Sequence, residues 1–168
     1  MKLFTIIAIS LSVAFLEGAA QKKVTSGSFN TLLKMMLKHN VKEITVQQAA
    51  AKGNVLFLDG REKKEYNVSH IKKAVYVGYD NFNLAAVEDV AKEAEIIVYC
   101  SIGKRSEEIT QKLNKAGYNN VSNLYGGIFE WVNQGNSVVD INNKNTNKVH
   151  AYGRLWGKWL DKGEKVYN

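Results

Sequence analysis

Residues 95–106 read EIIVYCSIGKRS, an uninterrupted apolar run followed by a short loop and a polar segment. An apolar run of this length is typical of a strand that is buried on both faces of a parallel sheet. The pattern after the loop predicts a helix from Ser106 to Ala116. Cys100 therefore stands where a buried strand ends, at the sheet edge where ligands of open parallel sheets bind. This position is the first indication of a functional site.

Short apolar runs and amphipathic segments alternate along most of the remaining chain. The other predicted strands are Glu43 to Thr45, Val55 to Leu58, Ala74 to Val77 and Val121 to Leu124. The other predicted helices are Gln47 to Lys52, Glu62 to Asn67, Leu84 to Lys92 and one that begins at Gly126-Gly127. Short connections between such elements predict one α/β domain with a central parallel sheet, at residues 41–140. Residues 21–40 are predicted to form an N-terminal helical extension, with Ser28 as the helix cap.

Residues 1–20 have the pattern of a secretory signal peptide. Lys2 gives a basic start, residues 3–16 are apolar, and the small residues Gly18 and Ala20 precede a cleavage site. About 14 apolar residues are fewer than the roughly 20 that span a bilayer, so we expect removal rather than anchoring. The mature protein is expected to be exported, periplasmic or secreted, without stable membrane insertion.

The one cysteine of the chain calls for an explanation, because exported proteins commonly pair their cysteines in disulfides. Cys100 is either an inert buried thiol or a reactive one. The loop after it favours reactivity: tight-loop amides, a helix N-terminus and the cations Lys104 and Arg105 all stabilise a thiolate. The same cradle suits a persulfide or an oxyanion such as thiosulfate. The main role predicted for Ser106 is to cap the helix.

Charge and composition exclude several other classes of ligand. The net charge is +7, but the lysines are scattered among acidic residues, which favours small anions over nucleic acid. One cysteine and three histidines do not make a convincing ligand set, so no metal is expected. No other cofactor is expected either.

Three ordered motifs carry a resemblance to the single-domain rhodanese family of rhodanese-like sulfurtransferases, over about residues 41–140. The loop motif Cys-x-x-Gly-x-Arg-Ser is matched by Cys100, Gly103, Arg105 and Ser106. The framework motifs are Leu58-Asp59-Gly60-Arg61 with Glu65-Tyr66 and His70-Ile71-x-x-Ala74, and Gly117-Tyr118 leading to Val121, Leu124, Gly126-Gly127, Trp131 and Gly135.

The resemblance implies a rhodanese-like domain whose central parallel sheet is flanked by helices on both faces. It also implies that Cys100 attacks the outer sulfur of a donor such as thiosulfate and becomes a persulfide. The sulfur then passes to a thiol or cyanide-like acceptor. The expected substrate-binding residues are Ser101, Ile102, Gly103, Lys104 and Arg105. We expect Asp59 and Arg61 to support the site as an ion pair, together with Ser106.

Two alternative functions stay open at this point. Phosphatases and arsenate reductases of a related fold also pair a loop cysteine with an arginine. Their loop typically runs Cys-x5-Arg, whereas Arg105 follows Cys100 after only four residues. A non-catalytic rhodanese-like binding module is the other alternative, although loss of the cysteine commonly marks that class.

The C-terminal residues 141–168 are predicted to form a linker and an amphipathic helix. Aromatic and leucine side chains recur there at helical spacing, at Tyr152, Leu155, Trp156, Trp159 and Leu160. This stripe either docks on its own domain or contacts a protein partner or membrane surface.

Overall fold

Five short parallel strands form the central sheet of the structure, a computed structural model that describes residues 23–167. The strands are β1 (Glu43–Ile44), β2 (Leu56–Asp59), β3 (Val75–Tyr76), β4 (Ile96–Tyr99) and β5 (Val121–Leu124), in the order β1-β5-β4-β2-β3. β4 pairs with β2 on one side and with β5 on the other, which explains its unbroken apolar sequence. The predicted signal peptide, residues 1–20, lies outside the described residues.

Helices cover both faces of this sheet, as the resemblance implies. Side chains of β4 alternate, so that Ile97 and Tyr99 enter one core and Ile96 and Val98 the other. The helices are α1 (Gly27–Met36), α2 (Val46–Ala50), α3 (Lys63–Val68), α4 (Lys104–Lys115) and α5 (Gly127–Asn133). The first core is closed by α1, α2 and α5, and the second by α4. The predicted fold class is therefore confirmed.

The predicted N-terminal extension is an integral part of the first core. Phe29 and Leu33 of α1 are fully buried there, and Ser26, rather than Ser28, caps the helix. The buried carboxylate of Glu107 on α4 accepts hydrogen bonds from the backbone N–H groups that follow α1, at 2.7 and 2.9 Å. Glu130 on α5 holds the backbone before α1 in the same way, because it accepts from the N–H of Thr25 at 2.7 Å.

The predicted helix from Leu84 to Lys92 is wrong, since the chain forms only a 3-10 turn at Leu84–Val87. Only Val87 of that turn is buried. One buried side chain gives too narrow an apolar face to stabilise a longer helix by packing.

The predicted C-terminal linker and amphipathic helix are also wrong. The chain instead forms the antiparallel strands β6 (Val138–Val139) and β7 (Asn145–Thr146), then the parallel strands β8 (Lys148–His150) and β9 (Glu164–Val166). Only the four-residue helix α6 (Arg154–Gly157) lies between β8 and β9. Gly153 and Gly157 weaken a longer helix, and pairing of β8 with β9 draws the flanking residues into extended backbone.

The C-terminal stripe packs mainly on its own domain. Leu160 is fully buried, and the ring of Trp159 stacks on Phe29 with 5.4 Å between ring centroids. Tyr152 and Leu155 stay exposed. Within residues 23–167, no helix combines the length and apolar character needed to cross a membrane.

Candidate active site

The loop from Cys100 to Gly103 packs on the first turn of α5. Backbone N–H groups of that turn donate hydrogen bonds to two carbonyl groups of the loop. The N–H of Ile128 donates to the carbonyl oxygen of Cys100 at 2.9 Å, and the N–H of Phe129 donates to that of Ser101 at 3.1 Å. Gly127 has a φ of +58°, and a Cβ at this position would overlap both carbonyl oxygens. The glycine therefore lets the loop approach the helix closely enough to form these hydrogen bonds.

Cys100 is buried at the base of this loop, in contact with the N-terminus of α4. The N–H of Gly103 donates to Cys100 Sγ at 3.2 Å. Gly103 has a φ of +106°, and its carbonyl accepts from Nδ2 of Asn123 at 3.0 Å. The thiol thus faces a backbone donor that the loop conformation holds in place.

The predicted cap role of Ser106 is wrong, because α4 begins two residues earlier and Gly103 occupies the cap position. The Ser106 hydroxyl instead donates to Oδ1 of Asn123 at 2.6 Å. Asn123 therefore ties α4 to the loop, and Ser106 supports the site through it.

Arg105 is held by Glu65, a residue that the sequence did not identify as part of the site. The guanidinium donates to both carboxylate oxygens of Glu65, at 2.6 and 2.8 Å, and to Ser101 Oγ at 3.0 Å. The Ser101 hydroxyl donates in turn to Glu65 at 3.1 Å. Burial raises the pKa of the Glu65 carboxyl, but the hydrogen bonds and charge of Arg105, with the charge of Arg61, outweigh it and hold that pKa below its ordinary value.

The predicted ion pair of Asp59 and Arg61 is present beneath this network. Both side chains are fully buried, with 2.7 Å between Arg61 Nη2 and Asp59 Oδ2. The same Nη2 donates to the carbonyl oxygen of Ser69 at 2.6 Å. Burial lowers the pKa of Arg61, but the Asp59 carboxylate outweighs it and raises that pKa above its ordinary value. Neither residue lines the pocket above Cys100, and their supporting role stays a prediction.

A small pocket of about 140 Å³ opens above the thiol. It is lined by Cys100, Ile102, Lys104, Arg105, Met36, Tyr152 and Trp156. Arg105 pairs with Glu65, whereas Lys104 has no carboxylate within ion-pair distance among residues 23–167. The pocket therefore combines a nucleophile, one cation that is free to meet an anion and a largely apolar wall.

The predicted substrate-binding residues divide into two groups. Ile102, Lys104 and Arg105 line the pocket. The other two residues bond within the loop region: Ser101 accepts a hydrogen bond from Arg105, and the N–H of Gly103 donates to the sulfur of Cys100. Their contacts with substrate stay predictions. In the described part of the chain, no three His, Cys, Asp or Glu side chains are grouped closely enough to hold a metal ion.

A family model and several curated proteins match this chain. The model of the rhodanese-like domain matches residues 44–134, slightly more than half of the chain. A thiosulfate:glutathione sulfurtransferase of Saccharomyces cerevisiae is 34% identical, over 52% of this chain and 72% of its own length. A tRNA uridine(34) hydroxylase of Yersinia enterocolitica is also 34% identical, but this chain spans only 28% of it.

Solved structures show the same fold. The BH2092 protein of Bacillus halodurans aligns with a TM-score of 0.55 at 21% identity, over 66% of this chain and 85% of its own. A thiosulfate sulfurtransferase of Pseudomonas aeruginosa has a TM-score of 0.55 at 22% identity, and the alignment covers 82% of this chain and 26% of that protein.

Proposed function

This chain belongs to the rhodanese-like family, and we propose that it is a sulfurtransferase that carries sulfane sulfur as a persulfide on Cys100. The observation that carries the proposal is the N–H of Gly103, which donates to Cys100 Sγ at 3.2 Å from the start of α4. A backbone donor at a helix N-terminus stabilises negative charge on sulfur, and the attacking form of a cysteine is the thiolate. The pocket above the sulfur gives a small substrate access to it.

The first half of the proposed reaction loads the enzyme. The Cys100 thiolate attacks the outer sulfur of a donor such as thiosulfate, and a new sulfur–sulfur bond forms. The bond between the two sulfur atoms of thiosulfate breaks, and sulfite leaves with its electron pair. Lys104 attracts the anionic donor to the pocket, because no carboxylate of the described residues neutralises it.

The second half unloads the enzyme. A nucleophilic acceptor, such as a thiolate or cyanide, attacks the terminal sulfur of the persulfide. The bond between that sulfur and Cys100 Sγ breaks, and Cys100 leaves as a thiolate that again accepts from Gly103. The sulfur keeps its oxidation state throughout, so the cycle needs no external oxidant or reductant.

Intact-mass spectrometry after treatment with thiosulfate tests this proposal directly. We expect the wild-type protein to gain the mass of one sulfur atom and to lose it on addition of cyanide. Because Cys100 is the one cysteine of the chain, the gain can be assigned to it, and Cys100→Ser should show none. A folded wild-type protein that gains no sulfur from thiosulfate or from other sulfane donors would overturn the proposal in favour of a binding module.

We further propose that residues 1–20 direct export and are removed after Ala20. The support is the basic start, the apolar run and the small residues before the cleavage site. N-terminal sequencing of the protein purified from its host should begin at Gln21. A protein that retains Met1 or Lys2 in the host would contradict this proposal.

A further inference from the structure

Part of the pocket wall comes from segments outside the matched family region. Residues 44–134 supply Cys100, Ile102 and the two cations. Met36 at the end of α1 and Tyr152 and Trp156 near α6 supply the rest of the lining. The nucleophile therefore lies in the matched family region, whereas three of the seven lining residues lie outside it.

This wall is held in place by the surrounding structure. Tyr152 has a φ of +63°, and its N–H donates to Nδ1 of the buried His150 at 3.1 Å. The Tyr152 ring lies 5.0 Å from the guanidinium carbon of Arg105, a cation–π distance. Trp156 packs against the first core. A side chain fixed in a left-handed backbone conformation beside a reactive group is typical of functional sites.

The size of the pocket limits how much of a ligand it can enclose. Its volume of about 140 Å³ is well below the roughly 300 Å³ at which drug-sized ligands begin to fit. An engineered apolar cavity of about 150 Å³ in another protein binds benzene. The pocket above Cys100 therefore encloses about one ring or a short alkyl chain.

The side chains of the pocket wall also favour a small apolar ligand. Met36, Ile102 and Trp156 present apolar surface, and Tyr152 presents a ring. The charged side chains of the lining, Lys104 and Arg105, are both cations, so the lining has no carboxylate or amide side chain that would bind the ammonium and peptide groups of a larger thiol. Such groups would lose hydration without gaining a hydrogen bond, which is unfavourable.

We infer that the sulfur acceptor of this site is a small thiol with a ring-sized apolar body, rather than a larger peptide thiol. This inference rests on the proposed function, since it names the class of acceptor for the same cysteine. The apolar body packs against Met36, Tyr152 and Trp156 while its thiolate attacks the terminal sulfur of the persulfide. The acceptor leaves as a persulfide, and Cys100 leaves as a thiolate.

A comparison of acceptors tests the inference. With thiosulfate as donor, kcat/KM is measured for phenylmethanethiol, 2-mercaptoethanol, glutathione and cyanide. All three thiols are primary alkyl thiols, and rates are compared per thiolate, so that differences report binding of the body. We expect phenylmethanethiol to exceed both other thiols by about tenfold or more, a discrimination that small differences in apolar contact can give. Cyanide reacts at the same sulfur but is too small to use the wall.

Matched variants of the wall give a second readout. Tyr152→Ala and Met36→Ala should lower the ratio of kcat/KM for phenylmethanethiol over cyanide by roughly tenfold. Leu155→Ala and Met35→Ala change exposed neighbours of the wall and should leave this ratio unchanged. The ratio does not depend on how much of a variant is folded, so partial unfolding cannot imitate the effect.

The outcomes separate the inference from the proposed function. If the wild-type protein transfers sulfur to cyanide but uses glutathione as well as phenylmethanethiol, the inference is overturned and the proposed function stands. If the wall variants keep the wild-type ratio, the inference is likewise overturned. If Cys100 forms no persulfide and no thiocyanate appears, the proposed function itself fails, and the inference with it.

Discussion

The carboxylate of Glu65 on α3 accepts two hydrogen bonds from the guanidinium of Arg105 on α4, at 2.6 and 2.8 Å. The pair encloses Ser101, which bonds to both partners. Arg105 is thus fixed beside the loop by a carboxylate, and its first structural role is to hold the loop rather than to meet an anion.

Removal of the carboxylate should therefore destabilise the protein. Glu65→Ala leaves the largely buried Arg105 without its partner, a change that typically costs about 3 kcal/mol or more of the unfolding free energy. Urea unfolding measures the loss. Glu164→Ala is the control. Its ion pair with Lys148 is exposed, with 4.0 Å between Nζ and Oε1, and should contribute less than about 1 kcal/mol to the unfolding free energy. Equal losses in the two variants would contradict this role for Glu65.

The same pair predicts how stability depends on pH. The pKa of Glu65 in the folded protein lies below its ordinary value of 4.5, so the unfolded chain binds the proton more tightly. The contribution of Glu65 is then fully present above the unfolded pKa and is lost as the pH falls through the folded pKa. We expect Glu65→Gln to lose less stability than the wild type between about pH 5 and pH 3. Parallel curves of unfolding free energy against pH would refute this expectation.

The two cations at the loop should behave differently on substitution. Lys104→Ala should lower kcat/KM for thiosulfate by about fivefold, because a pocket cation contributes on the order of 1 kcal/mol to binding of an anionic ligand. It should leave the unfolding midpoint nearly unchanged. Arg105→Ala should lower the midpoint as well, since it leaves Glu65 buried and unpaired. Lys115→Ala, in the last turn of α4, serves as the control for a change of net charge alone. If Lys104→Ala keeps the wild-type kcat/KM for thiosulfate, Lys104 does not contribute to binding of the donor.

Contact between the loop and α5 can be tested with two glycines of similar backbone conformation. Gly127→Ala and Gly117→Ala both place a side chain at positive φ, which costs about 1–2 kcal/mol. A Cβ at Gly127 would also overlap the loop carbonyls, whereas at Gly117 it would meet open space. We expect Gly127→Ala to cost a further 1–3 kcal/mol or so and to slow sulfur transfer. The alternative result, equal stability and activity in both variants, would mean that the loop does not depend on this contact.

Local patterns in the sequence are sufficient to predict the central sheet and the position of Cys100. The apolar run before Cys100 forms β4, and Val121 to Leu124 forms β5 with the predicted bounds. Both strands are buried, and composition and length alone mark β4, whereas β5 carries the polar residues Ser122 and Asn123 between its apolar ends. The helix after the loop is also present, although it begins at Lys104.

The parts that sequence patterns missed depend on contacts between distant segments. Glu65 and Arg105 lie 40 residues apart, and the family motif that contains Glu65 did not connect it to the site. The C-terminal spacing from Tyr152 to Leu160 imitates a helix, but its residues serve different structures: Tyr152 lines the pocket, Trp159 stacks on α1, and Leu160 enters the core. Periodicity cannot separate these roles, since it records spacing and not the partner of each side chain.

The stack of Phe29 on Trp159 has a consequence for folding kinetics, because it joins segments near opposite ends of the described chain. The second core uses residues between Leu58 and Val121, whereas the first core also needs Leu160. Contacts between residues that are distant in sequence form slowly, because the long loop between them must close first. We therefore expect the first core to limit the folding rate of this domain.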